Sequence, residues 1–384
     1  MPQVGQRVCK RCVLDSTVPG ISFDASGNCN FCTEFEHTLD SFRASPKLRQ
    51  SELEAILERI RDSGRGHDHD SVLGLSGGVD SSYVAHLAVE WGLRPLIVCA
   101  DNGWDAEEAT QNVANLVAKL GLDVERYAVD FAEFTDLQKA FLTASVQNIE
   151  IPTDHFILSV LYRTAAKHRI KFILSGGNVA TEGILPRGFI GWTAWDARYI
   201  RGIHARFATR PLKTYPLMGY KQLVYYWMIK QVQKIRPLNY IDYHRGNAID
   251  RLRRNYEWYD YGHKHFESIF TRFFQAYILP TKFGVDKRKA HFSTLIVSGQ
   301  MSRDEALDLL KHSPYPNEEM LREDHQRVLE GLGLTEQEFD RLISLPVRTY
   351  RDYPSSSLLY KGWARLRSRR GAVLAKAWGI GKQT

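Results

Sequence analysis

Cysteine is scarce outside one corner of the chain: four of the five lie within the first 32 residues, and only Cys99 falls beyond them. That distribution excludes a disulfide framework spread over the fold, and it denies the paired reactive thiols that sulfur transfer calls for. Long apolar runs are missing as well. No stretch approaches the length of a membrane span, and the polar opening MPQVGQRVCK does not have the pattern of a signal peptide, so no span and a cytoplasmic location are expected. The glycine-rich turn at positions 76–82 has no lysine, which separates it from the G-x-x-x-x-G-K-[ST] phosphate loop.

What is present fits an ordinary globular protein. A 43% hydrophobic share with 25% charged residues does not suggest disorder, and 384 residues allow two or three domains. The net charge of +7 suits acidic partners: nucleotides, nucleotide-sugars, tRNA or an anionic surface. Charge alone does not choose among them.

The chain is organised around Ser71 to Trp91. Val72 to Leu75 reads as a short buried strand, Ser76-Gly77-Gly78-Val79-Asp80-Ser81-Ser82 as a turn, and the residues after it as a helix with Val84, Leu87, Ala88 and Trp91 on one face. Gly77 and Gly78 permit backbone angles closed to other residues and a close ligand approach. Unpaired amides at the helix start can hold an anion. Asp80, a carboxylate beside that anion, makes sense if it carries Mg²⁺.

Cys9, Cys12, Cys29 and Cys32 form C-x2-C-x16-C-x2-C, the spacing of a closed four-thiolate zinc site, with a redox pair or an iron–sulfur cluster as competing readings. A polar stretch to about residue 65, with Leu53, Ile56, Leu57 and Ile60 on one stripe, reads as a linking helix. The histidines of the following loop, His67 and His69, suggest either a metal site or a solvated turn. Strand 96–100 ends in Asp101-Asn102-Gly103-Trp104, helix 106–120 stops at Gly121, strand 124–129 follows, and helix 154–167 leads to strand 171–174 and a second glycine turn, Ser175-Gly176-Gly177-Asn178. The alternation implies a doubly wound parallel sheet, an α/β fold with ligands at the carboxyl ends of its strands. Cys99 reads as a small core residue.

Beyond Pro186 aromatic and basic residues interleave, from Trp192, Trp195 and Arg198 to Trp258-Tyr259-Asp260-Tyr261-Gly262-His263-Lys264-His265. Such clusters stack bases or pair phosphates, or form the rims of amphipathic helices; the sequence leaves both open. A cation must neutralise the leaving group somewhere, because the central turn lacks lysine. Lys282, Lys287 and Arg288 in the basic stretch 280–289 are the candidates. Arg365, Arg367, Arg369 and Arg370 give the tail a basic face, either solvated or set against an anionic surface.

The pattern S-G-G-x-D-S resembles the pyrophosphate loop (PP-loop) of the ATP pyrophosphatases, which split ATP into AMP and pyrophosphate. By that resemblance Ser76, Gly77, Gly78, Asp80, Ser81, Ser82, Asp101, Gly176 and Gly177 contact ATP. Asp101-Asn102-Gly103 is similar to a nucleotide-contacting segment of GMP synthetase, and the second glycine turn is similar to a segment of NAD synthetase that makes Glu182 a second Mg²⁺-side carboxylate beside Asp80. Together, the four-cysteine ribbon, L-S-G-G-V-D-S-S, A-D-N-G-W, S-G-G-N-x-x-T-E-G and Y-I-L-P-T-K-F-G-V-D-K-R-K-A-H look like the N-acetyl sugar amidotransferase family, itself similar to the synthetase half of asparagine synthetase. The resemblance implies an adenine nucleotide alpha hydrolase-like sheet with an N-terminal zinc ribbon and a mainly helical C-terminal region. The expected boundaries are a ribbon at 1–40, a linking helix at 41–66, the PP-loop domain at 67–205, a helical region completing the site at 206–345 and a basic tail at 346–384.

It also implies the cofactors ATP, Mg²⁺ and structural Zn²⁺, and a nucleotide-sugar whose acetamido group becomes acetamidino in bacterial O-antigen or flagellin-glycan synthesis. No cysteine is placed to act as a glutaminase nucleophile. The resemblance therefore points to ammonia from a separate glutaminase with a cyclase-like subunit, similar to the pair in imidazole glycerol phosphate synthase. Nucleic acid is not expected as a partner. A tRNA-modifying enzyme of the same superfamily, by thiolation or lysidine formation, and a non-catalytic nucleotide-binding module are the competing readings.

Overall fold

The central strands alternate their apolar side chains between two cores, which is why helices cover both sides of the sheet. Val72, Leu96, Val98 and Ile173 point into one core, and Leu73, Ile97, Cys99, Phe172 and Leu174 into the other. The computed structural model describes residues 7–43, 45–262 and 264–357, so His263 and the tail arginines Arg365, Arg367, Arg369 and Arg370 lie outside the described residues.

In chain order the first half runs α1 Asn30–Arg43, α2 Pro46–Ser63, β1 Ser71–Gly74, α3 Val79–Glu90, β2 Pro95–Asp101, α4 Glu107–Leu120, β3 Val124–Ala128, α5 Phe131–Thr143, α6 Ile151–Lys167, β4 Phe172–Leu174 and α7 Val179–Glu182. The second half runs α8 Ala197–Phe207, α9 Tyr220–Val224, β5 Gln233–Ile235, α10 Arg245–Tyr256, α11 Ile269–Phe273, α12 Leu279–Phe283, α13 Lys287–Ser298, α14 Arg303–Leu309, α15 Glu318–Leu332 and α16 Glu336–Ser344. The fold class read from the sequence is the one found. The sheet order is β3-β2-β1-β4-β5, and every pairing is parallel.

The chain steps outward from β1 through β2 to β3, then places β4 on the other side of β1. The boundary between β1 and β4 is therefore the switch point, where diverging connections open a crevice at the carboxyl ends. Both glycine turns leave strands at that edge. One face of the sheet carries α2, α3, α4 and α10 through Leu57, Val84, Leu87, Leu116 and Leu252; the other carries α5 and α6 through Phe134, Phe141, Phe156 and Val160. Each such buried side chain contributes about 1.5–3 kcal/mol. The C-terminal helices and the cysteine ribbon join the second core.

Two expected boundaries shift. The sheet does not end by position 205, because β5 pairs with β4 in the register Phe172↔Gln233 and Leu174↔Ile235. The linker at 41–66 is also not one helix: α1 begins at Asn30, beside the second cysteine pair, and α2 follows it after a break at Pro46. Proline at the start of α2 has no amide hydrogen to lose there, so it starts the second helix where it would break a continuous one.

Candidate active site at the switch point

The first glycine turn is held by its own serines. Ser81 Oγ donates to the Gly78 carbonyl at 3.1 Å and lies 3.3 Å from Ser76 Oγ, while the Gly78 amide donates to Ser76 Oγ at 3.4 Å. Gly77 has a φ of +80° and its missing Cβ would meet the Ala109 carbonyl, so no side chain fits there. Its carbonyl, turned into the fold, accepts from Trp258 Nε1 at 3.1 Å, Asn112 Nδ2 at 3.3 Å and Tyr261 OH at 3.3 Å. Gly78 then caps α3, and Asp80 sits in that helix's first turn.

The second turn is pinned by Asn178, 2% exposed, whose Oδ1 accepts from the Thr181 amide and whose Nδ2 donates to the Gly176 carbonyl. A Cβ on Gly176 would stand 2.7 Å from both the Asp80 carbonyl carbon and the Ser81 nitrogen, so the two turns touch main chain to main chain. Gly176→Ala is expected to push them apart, costing about 1–3 kcal/mol of stability and raising the KM for ATP while leaving the helical circular dichroism signal in place. A thermal melt and an ATP titration of turnover check it.

Ser76, Gly78, Asp80, Ser81, Gly176, Gly177, Thr181 and Glu182 line one cavity of ≈ 180 Å³, closed on the far side by Arg245, Trp258, Tyr261, Lys264, His265 and Glu267. Asp80 and Glu182 share one cation. Lys264 Nζ lies 2.7 Å from Glu182 Oε1 and 3.5 Å from Asp80 Oδ2, and Tyr243 OH donates to Asp80 Oδ1. Burial alone would raise the Glu182 carboxyl, but the Lys264 ammonium outweighs it and holds that carboxyl well below its usual range. Burial works against the charged ammonium of Lys264 too, yet Glu182 and Asp80 together push its pKa above the ordinary lysine value. In the middle of β5, burial and then the neighbouring Arg236 lower Lys234 to about 8. Arg236 Nε stands 3.6 Å from the position a Cβ on Gly177 would take, so a second cationic flank borders the Glu182 side.

Comparison with known families covers the first glycine turn and, of the far wall, Glu267, while the second turn, Glu182 and Lys264 lie between the two matched ranges. Residues 52–171, which include the first glycine turn, match the NAD synthase family, and residues 267–368 match "LPS biosynthesis protein WbpG-like, C-terminal domain". The chain joins an NAD synthase-type PP-loop domain to a WbpG-like C-terminal domain.

Solved structures similar to it include an NH3-dependent NAD synthetase from Campylobacter jejuni (20% identity, 35% of this chain and 60% of that one, TM-score 0.28) and the NMN synthetase from Francisella tularensis (16%, 76% and 97%, 0.31). A predicted subunit of tRNA methyltransferase from Methanocaldococcus jannaschii is also similar (16%, 47% and 73%, 0.24). At these scores the likeness does not extend to activity, and the chain spans only 60% of the first of them. No curated protein matches the chain.

Not every residue expected at the PP-loop site faces the cavity. Ser82 is fully buried and its Oγ accepts from Trp258 Nε1, so it braces the turn rather than facing a nucleotide. Gly77 has the same framework role. Asp101 lies outside the cavity, and its carboxylate accepts from the Gly103 amide of its own turn.

The three expected cations stand apart from the cavity as well. Lys282 Nζ donates to the carbonyls of Leu342, Ile343 and Leu345 at 2.7–2.8 Å, satisfying the orphan acceptors at the end of α16. Arg288 is tied to Asp286 at 2.8 Å and to the His312 carbonyl at 3.0 Å. Lys287 stands over the Phe274 ring, in the field of Glu150 and Asp154. The cation that does reach the two carboxylates is Lys264, which the sequence reading leaves inside an aromatic and basic cluster. The only signal for it is the run of ring residues around it.

At the N-terminus the four cysteine sulfurs all lie within 4.8 Å of one another, with neighbouring pairs at 3.5–3.8 Å. Four sulfurs about 2.3 Å from a shared tetrahedral ion would stand about 3.8 Å apart, so the cluster fits zinc. Amides of Cys12, Leu14, Cys29 and Cys32 donate to these sulfurs at 3.2–3.4 Å, stabilising thiolate charge. Short bridges, Val8↔Asp15 and Phe23↔Cys29, take the place of full ribbon strands.

Proposed function

We propose that this PP-loop protein is an ATP-dependent amidotransferase acting on a nucleotide-activated N-acetyl sugar in bacterial surface-polysaccharide or flagellin-glycan synthesis. The single observation that carries the reading is the meeting of the two glycine turns at the switch point, with Asp80 and Glu182 on one shared cation; the WbpG-like C-terminal match supports a place in LPS biosynthesis. An amide carbonyl is a poor electrophile. Attack of its oxygen on the α-phosphate of ATP gives an O-adenylyl imidate and releases pyrophosphate, and ammonia then displaces AMP to leave an amidine.

In that scheme the amides at the start of α3 hold the departing pyrophosphate, and Lys264 neutralises charge where the turn itself has no lysine. Trp258 and Tyr261 wall off water from the imidate. The hard oxygen donors of Asp80 and Glu182 suit Mg²⁺, which when bound would screen the phosphate oxygens. Lys234 and Arg236 offer a second anion-binding flank, matched to the phosphates of a sugar carrier. Ammonia is supplied from outside, by a glutaminase partner or free ammonium. No helix among the described residues is long and apolar enough to cross a membrane.

Adenylation at oxygen has an isotopic consequence. With a panel of nucleotide-linked N-acetyl sugars carrying ¹⁸O in the acetamido carbonyl, plus ammonium, the label is expected in the phosphate of AMP. Label retained in the sugar, or ADP and orthophosphate as products, overturns the reading. Bulk tRNA binding that is tight and salt-sensitive would instead favour a tRNA-modifying enzyme.

A further inference from the structure

Beside the cavity lies a set of charged groups that phosphate chemistry does not use. Glu150 stands at the N-cap position of α6 with no side-chain cap bond, and is only 6% exposed. One of its oxygens accepts from Thr271 Oγ1 at 2.6 Å; the other, Oε1, is buried with no hydrogen-bond partner. Asp154 stands one helical turn on, its amide bonded to the Glu150 carbonyl at 3.0 Å. Lys287, at the start of α13, completes the group from a third element. Asp154 lies in the field of His265 of the cavity wall and of Lys234.

A buried acceptor without a donor calls for a ligand that brings one. Two carboxyls rule out an anion, an apolar group would leave Oε1 unsatisfied, and a water brings the donor but not the compensating charge. Among the described residues no third metal-ligating side chain groups with Glu150 and Asp154. A small N–H donor carrying one positive charge fits.

We infer that Glu150 and Asp154 form the ammonium subsite of the proposed amidotransferase, with Glu150 Oε1 taking the proton that turns ammonium into the ammonia nucleophile. The inference rests on the function proposed above. The step balances: NH4⁺ and the Glu150 carboxylate give NH3 and the carboxylic acid. The ammonia lone pair then forms the C–N bond at the imidate carbon, and the C–O bond to AMP breaks with its electrons leaving on AMP. The three ammonia hydrogens become the N–H hydrogens of the amidinium, which keeps the positive charge, and Glu150 returns its proton to solvent. The Lys287 charge disfavours a second cation and so favours loss of that proton. Burial raises the Glu150 carboxyl to about 7 against the Thr271 bond, with Asp154 adding to the rise and Lys287 opposing it, which suits a base working near neutrality.

The test has two arms. Line broadening of [¹⁵N]ammonium by the full-length protein needs no sugar, and it is expected with the wild type and lost in Glu150→Gln, whose side chain keeps the shape. In turnover, Glu150→Gln is expected to raise the KM for ammonium chloride at least about tenfold while the KM for ATP stays within about twofold. Hydroxylamine, a nucleophile already neutral at pH 7, is expected to restore the rate. Equal broadening by both proteins, an unchanged ammonium KM, or equal loss with ammonium and hydroxylamine overturns the subsite. Failure of every sugar to yield AMP would count against the function instead, and it leaves the binding arm readable.

Discussion

Asp80→Asn is expected to lower pyrophosphate release by about 10²–10³-fold while the protein stays folded. Asparagine keeps the volume and one carbonyl oxygen, so Tyr243 OH still has an acceptor and the first turn of α3 is undisturbed. What is lost is the charge. Lys264 then pairs with Glu182 alone, at the 2.7 Å contact it already makes, and only Glu182 is left to offer a divalent ion a charged oxygen donor. Pyrophosphate release, followed in a coupled assay with ammonium and the accepted sugar, reads the effect; a thermal melt within a few degrees of wild type rules out collapse. Turnover within threefold of wild type would remove the metal role assigned to Asp80 and, with it, the reading of the two carboxylates as one site. Lys264→Met separates the two contributions: it leaves both acids in place, removes the cation between them, and is expected to slow the same step without restoring binding at higher Mg²⁺.

Where local pattern and tertiary role coincide, the site was legible from residues alone. Ser76 to Ser81 announce a phosphate turn because the strand before it, the glycines and the helix after it are contiguous, and the structure puts most of that run in one cavity. Lys264 was not legible in that way. It comes from 184 residues beyond Asp80, out of a loop with no periodicity, and it is recruited by packing of Trp258 against the Gly77 carbonyl. The lysine that a Walker-type loop carries within itself is here delivered by the distant C-terminal half.

The dense basic run 280–289 misled for the complementary reason. Composition registers charge but not direction: Lys282 and Arg288 spend theirs on helix-end carbonyls and on Asp286. Strand β5 escaped because three residues, Gln-Lys-Ile, carry no apolar run, and only pairing with β4 makes them a strand. Helix α5 has the signals in hindsight, Asp130 capping the Glu133 amide ahead of Phe134, Leu137 and Phe141 inward.

Stripping zinc is expected to abolish activity although no cysteine touches the cavity. The ribbon is locked to the C-terminal half by Arg303, which donates to the Cys9 and Cys12 carbonyls at 2.9 and 3.0 Å, and by Lys289 paired with Asp15. From the second cysteine pair α1 carries Phe35 so close to Gly183 that no Cβ fits between them, and Gly183 follows Glu182 directly. A metal held by that cluster would thereby fix the wall behind Glu182. A ribbon of some forty residues has little core of its own, so its folding energy is largely metal-binding energy, about 10–16 kcal/mol in small zinc domains. Cys12→Ser, or prolonged dialysis against a strong chelator, is expected to lower zinc content from about one ion per chain, depress Tm by on the order of 10 °C and lose pyrophosphate release in parallel. Full activity after complete metal loss would sever the ribbon from catalysis, and visible absorbance with iron in place of zinc would assign the cluster to electron chemistry instead.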